Sequence, residues 1–66
     1  MTFAERMHEW IAARLSEGRT VYATSYGHAI KITPKHVDLI RVRNGHCEVQ
    51  RGRRWDSING CKITAQ

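Results

Sequence analysis

The segment DLIRVRNGHCEVQ, residues 38 to 50, constrains the fold of this 66-residue chain more tightly than any other. Asn-Gly is the preferred pair at the centre of a type I′ turn, where both central residues take positive φ and two antiparallel strands join through only two residues. Such a loop at Asn44-Gly45 sets Arg43 opposite His46, Val42 opposite Cys47, Arg41 opposite Glu48 and Ile40 opposite Val49. Apolar side chains then face each other and Arg41 meets Glu48, so turn chemistry and cross-strand pairing specify one register.

The same period-two pattern appears earlier, in TVYATSYGHAIKI. A turn at Tyr26-Gly27 pairs Ser25 with His28, Ala23 with Ile30 and Val21 with Ile32. One face then carries Val21, Ala23, Ile30 and Ile32, and the other Tyr22, Thr24 and Lys31, the alternation of a half-buried antiparallel pair. Pro34 has no N–H to donate and suits the first position of a helical turn capped by Thr33, so residues 33 to 37 are expected as a loop or single turn. After Gly52, WDSI reads as a fifth strand, and a second Asn-Gly at residues 59 and 60 leads to CKITA, a short sixth. A two-residue loop at Gly52 sets Asp56 opposite Val49, so a longer loop or a bulge is expected there.

Before Gly18 the period differs. Thr2 and Glu5 have the spacing of a capping box, and Phe3, Met7, Trp10, Ile11 and Leu15 fall on one face of a 3.6-residue helix. Gly18 is placed to end it in the left-handed conformation. The spacing predicts one helix over about residues 3 to 17 and a β-meander over about 20 to 64, together a single domain.

The expected fold class is α+β: an N-terminal amphipathic helix packed on a four- to six-stranded antiparallel β-meander. The helix stripe and a sheet face of Val21, Ile30, Ile32, Ile40, Val42, Val49 and Ile58 each lack a cover that the other supplies. Helix plus a small SH3-like or Sm-like barrel is the alternative closure of the same element order. A chain this short buries roughly 60% of the surface its unfolded form exposes, which makes its core small.

Charge is unevenly placed. The net charge is +5. Residues 1 to 18 hold Arg6 and Arg14 against Glu5, Glu9 and Glu17. The remainder holds Arg19, Lys31, Lys35, Arg41, Arg43, Arg51, Arg53, Arg54 and Lys62 against Asp38, Glu48 and Asp56. An excess of this kind points to an anionic partner. Arginine offers phosphate a planar fork of donors, and several such contacts release counterions. The candidate nucleic-acid-binding residues are Arg41, Arg43, His46, Arg51, Arg53, Arg54, Lys31 and Tyr22, with Tyr26 and Trp55 as further stacking surfaces. In a solvated-face alternative, Glu48 neutralises Arg41, and Arg54 lies over Trp55.

Other chemistries find little support. No run approaches the roughly 20 apolar residues of a membrane span, and MTFAERMHEW lacks the basic and apolar order of a secretory signal, so the expected location is cytoplasmic. Cys47 and Cys61 are expected as reduced thiols, about 9.6 Å apart if two strand spacings separate them, beyond disulfide reach. His46-Cys47 is the only close pair of metal-ligand type, and its side chains leave opposite faces of a strand, so neither metal nor cofactor is expected. No carboxylate pair or glycine-rich phosphate loop suggests an enzyme. Two functions follow. One is a small basic module that binds RNA or DNA. The other is an adaptor or inhibitor, of the kind encoded by phage and mobile elements, that binds an acidic surface on a larger protein. Trp10 and Trp55 are candidate interface anchors, and so small a core also makes a homodimer a candidate assembly.

Overall fold

The computed structural model describes residues 2–66. One helix, α1 (Phe3–Ser16), is followed by β1 (Val21–Ser25), β2 (His28–Ile32), a 3₁₀ helix (Pro34–Leu39), β3 (Ile40–Arg43), β4 (His46–Arg51), β5 (Arg54–Ser57) and β6 (Lys62–Ala65). Both ends of α1 are closed by local chemistry. Thr2 Oγ1 accepts from Glu5 N at 3.2 Å and Glu5 Oε1 accepts from Thr2 N at 3.0 Å, completing the capping box. These bonds hold the Glu5 carboxyl below its ordinary value, first through the Thr2 backbone and then through its side chain. At the other end Gly18 has φ +79, Gly18 N donates to Leu15 O, and Arg19 N donates to Arg14 O, which is the Schellman pattern.

The strands form two antiparallel three-stranded sheets, β2-β1-β6 and β3-β4-β5, rather than one meander, and among the described residues they close no barrel. The division falls at Thr33-Pro34, as the missing N–H requires. There the backbone turns into a six-residue 3₁₀ helix, longer than the single turn expected, and His36 Nδ1 accepts from Thr33 N at 3.1 Å. β6 then returns to the free side of β1, setting Ile63 opposite Ala23 and Thr64 opposite Tyr22. Beyond the ladder, Gln66 N donates to Thr20 O at 2.9 Å and Arg19 Nε donates to Gln66 O at 3.1 Å.

Both hairpin registers follow the turn chemistry residue for residue. The Gly52 turn departs from expectation. Arg51 pairs with Arg54 and Val49 with Asp56, so the loop has only two residues. Gly52 has φ +64 while Arg53 is not in the positive region, the combination of a type II′ turn. Asp56 is tolerated opposite Val49 because Arg51 and Arg54 both close on its carboxylate.

One core lies among α1 and the two sheets. Ala4, Met7, Ile11 and Leu15 of α1 meet Val21, Ala23 and Ile32 of one sheet, Ile40, Cys47 and Val49 of the other, and Ile58 between β5 and β6. Three side chains expected in the core lie at its margin instead: Phe3 is 62% exposed, Trp10 40% and Val42 38%. The buried stripe is centred on Ala4 and Ile11, which turns Phe3 and Trp10 to its edge, and Val42 sits next to the hairpin end.

The link from β5 to β6 is held by a side chain acting as a strand. Asn59 Oδ1 accepts from Cys47 N at 2.7 Å, Asn59 Nδ2 donates to Gly45 O at 2.8 Å, and Ile58 N donates to Cys47 O at 2.9 Å. Removing Asn59 leaves the Cys47 N–H, on a fully buried residue, without its acceptor. Asn59→Ala is therefore expected to cost about 1 to 3 kcal/mol in denaturant unfolding. Tyr26, at φ +49 and wholly exposed, occupies a region costly to a side chain of its size. Tyr26→Asn is expected to stabilise the fold by about 1 kcal/mol, read as a higher unfolding midpoint.

Candidate nucleic-acid interface

Strand parity and the turns divide the candidate residues among four places. On the outer face of β3-β4-β5, Arg41, Arg43, His46, Glu48, Gln50, Trp55 and Ser57 share one side. Arg51 and Arg54 have the parity of Val49 and Asp56, so they project at the rim of the opposite, core-facing side. Arg53 lies in the Gly52 turn itself. Tyr22 and Lys31 belong to the other sheet, opposite each other in the β1-β2 ladder. The eight residues therefore do not form one continuous ladder.

Several of these cations already have partners within the protein. Arg41 Nε donates to Glu48 Oε1 at 2.8 Å, and its guanidinium carbon lies 3.9 Å from the centroid of the Trp55 ring. Arg41, rather than Arg54, is thus the residue stacked on Trp55, spanning β4 to reach it. Arg54 Nη2 donates to Asp56 Oδ1 at 3.1 Å, and Arg51 Nη1 lies 3.8 Å from Asp56 Oδ2. Arg51, Gly52, Arg54 and Asp56 line a shallow open cleft at this turn. Arg51 and Arg54 remain exposed despite these ion pairs, and exposed pairs contribute about 1 kcal/mol or less. Their outward donors are open to an incoming phosphate without leaving Asp56, whose Oδ2 is buried.

Among the described residues, Lys31, Arg43 and Arg53 are exposed and form no salt bridge within the chain. His46 Nδ1 lies 3.1 Å from Ser57 Oγ, across β4 and β5. Tyr22 is half-buried, and Tyr26 stands fully exposed at the tip of the β1-β2 hairpin, on the other sheet from the arginines. Lys62 is a further cation that the sequence pattern left unassigned. It faces Thr24 in the β1-β6 ladder and shares the outer face of that sheet with Tyr22 and Lys31. The alternation of Cys61, Ile63 and Ala65 with Lys62 and Thr64 is the signal that marks it.

The remaining chemistry-bearing groups are dispersed. His8 Nε2 lies 3.3 Å from Ile40 O, and His36 is bonded to Thr33. Among the described residues no three His, Cys, Asp or Glu side chains converge to hold a metal, and the two cysteines are unpaired. No described helix is long and apolar enough to cross a membrane. No protein-family model, curated protein or solved structure matches the chain.

Cys47 lies directly beneath the arginine face and is fully buried. Burial pushes its thiol from 9.0 up to about 11, with the Glu48 carboxylate adding to the effect. The folded thiol holds its proton to higher pH than the unfolded one, so this contribution to stability is complete below pH 9 and lost between 9 and about 11. Cys47→Ala is expected to remove that part of the alkaline decline, measured as unfolding free energy against pH. In the native protein a thiol reagent is expected to label Cys61 quickly and Cys47 only on unfolding.

Proposed function

We propose that the chain is a non-catalytic nucleic-acid-binding module that holds phosphates with the cations of its strands and of the Gly52 turn. The observation that carries this reading is the segregation of charge. In α1, Arg6 and Arg14 are balanced by Glu5 and Glu9, whereas residues 40 to 57 hold five arginines against Glu48 and Asp56. Lys31 and Lys62 add to the surplus on the other sheet. The helix is thus a neutral layer, and the positive potential belongs to the sheets and their turns.

The arrangement favours backbone contacts over base stacking. Arg41 covers one face of Trp55, and Tyr22 is half-buried, so neither offers the open ring on which a splayed base stacks. Arg43, Arg53 and the exposed arms of Arg51 and Arg54 are the phosphate contacts, and Arg41 is a positioning residue held by Glu48 and Trp55. Phosphate contacts fix orientation and carry no direct sequence information, so binding should depend on charge density and salt more than on sequence.

Fluorescence anisotropy with labelled duplex DNA, single-stranded DNA and single-stranded RNA at several salt concentrations tests this reading. Duplex binding is expected to weaken steeply with salt and to vary little with sequence. Arg43→Ala with Arg53→Ala should lower the affinity and flatten the salt slope by about 2, near one unit per lost phosphate contact. Asp56→Asn should tighten binding, because it releases Arg51 and Arg54. Absence of binding at low salt, or an affinity unchanged in the double variant, would sink the reading.

A further inference from the structure

A second surface lies on the neutral side of the molecule. Phe3, Arg6, Met7 and Trp10 of α1, with Cys61 just before β6 and Ile63 within it, line an open groove whose floor is apolar. It contains two exposed aromatic side chains of the helix, Phe3 and Trp10. Arg6 and Arg14 stand one helical turn to either side of Trp10. Among the described residues Arg6 forms no salt bridge. Arg14 lies over the Trp10 ring at 5.2 Å and donates through Nη2 to Glu17, while its Nε is buried without an acceptor. β6 bounds the groove and has a ladder partner, β1, on one side only.

We propose that this groove docks an extended acidic segment of a partner protein. An apolar side chain inserts among Phe3, Met7, Trp10 and Ile63, and flanking carboxylates meet Arg6 and Arg14. Charge complementarity selects this occupant. Two cations bracket an apolar floor, Arg6 without an ion-pair partner among the described residues and Arg14 in a partly exposed pair with Glu17 that a second carboxylate can share, so the groups that fit are acceptors carried on either side of an apolar anchor. Tryptophan and arginine are the residue types that dominate binding hot spots. The free side of β6 offers main-chain donors and acceptors to an extended segment, as in strand addition.

A second copy of the chain fits this surface poorly. A two-fold axis through Trp10 sets Arg6 of one copy against Arg14 of the other, and each copy carries +5. A nucleic acid finds the larger cation cluster on the sheets instead, five arginines over residues 40 to 57.

Selection from a random twelve-residue peptide display library on the immobilised full chain tests the proposal. The expected result is enrichment of an apolar residue flanked by Asp or Glu, and a synthetic peptide of that pattern that binds with micromolar affinity. Arg6→Glu and Phe3→Ser, both at exposed positions, should each weaken the peptide at least tenfold with an unchanged circular dichroism spectrum. Arg43→Ala with Arg53→Ala should leave peptide binding intact. Arg6→Ala serves in place of Arg6→Glu if the charge reversal disturbs folding. The proposal is overturned if no pattern is enriched, if the enriched peptides bind both groove variants as well as the parent, or if ultracentrifugation finds a dimer that these substitutions split.

Discussion

Burial of one narrow helix stripe holds the two sheets together. Ala4, Met7, Ile11 and Leu15 share one buried cluster with apolar side chains of both sheets, and among the described residues the sheets share no ladder. Each sheet has one apolar face that needs a cover, and the helix has too few residues to be stable in water without tertiary packing. The three parts become stable by excluding water from one another. Ile58, between β5 and β6 and fully buried, plugs the junction, and the Asn59 side chain fixes it there by completing the hydrogen bonds of β4. This closure brings β6 back to β1 and so defines the edge beside the apolar groove.

The electrostatic pattern follows from the same architecture. Placing the core between the layers leaves the outer faces of the sheets to carry charge, and short strands bring like charges close. Two acids relieve the crowding at specific points: Glu48 receives Arg41, and Asp56 receives Arg51 and Arg54. Asp56 also makes the tight Gly52 turn tolerable, since without a counter-charge Arg51 and Arg54 face each other directly across the ladder. The ion pairs thus have a structural use, while the outward donors of Arg51 and Arg54 stay exposed. Among the described residues Arg43 and Arg53 are in no such pair, which is why the proposed phosphate contacts begin with them.

Much of this architecture was legible in the sequence where the determinants are local. Asn44-Gly45 and Tyr26-Gly27 specify their registers because turn geometry and side-chain alternation act within a dozen residues. The capping box and Gly18 specify the helix ends for the same reason. The pairing of β6 with β1 was not legible, because it joins segments about 40 residues apart with no turn between them. The Gly52 turn misled because alternation counts Asp56 as an error, whereas the fold places two arginines to receive it. Phe3 and Trp10 share the helical period with the core, and only the small residue Ala4 reveals where the stripe is centred. As for the site, composition marked the arginines, but their division between faces needed the two-residue Gly52 loop, which pairs Arg54 with Arg51 and sets both on the side of Val49. The groove drew no notice because its two walls are adjacent only after β6 has folded back.

The central claim is that the two surfaces are separate: a cationic one on the sheets that meets phosphate, and an apolar one on the helix that does not. Side-chain NMR of the arginine Nε–H and tryptophan indole groups, recorded as duplex DNA is added, tests this most directly. Shifts at Arg43 and Arg53, joined by Arg51 and Arg54, with Arg6, Arg14 and the Trp10 indole unmoved, are the result the account predicts. Shifts centred on Trp10, Arg6 and Arg14, or an unperturbed spectrum at low salt, contradict it.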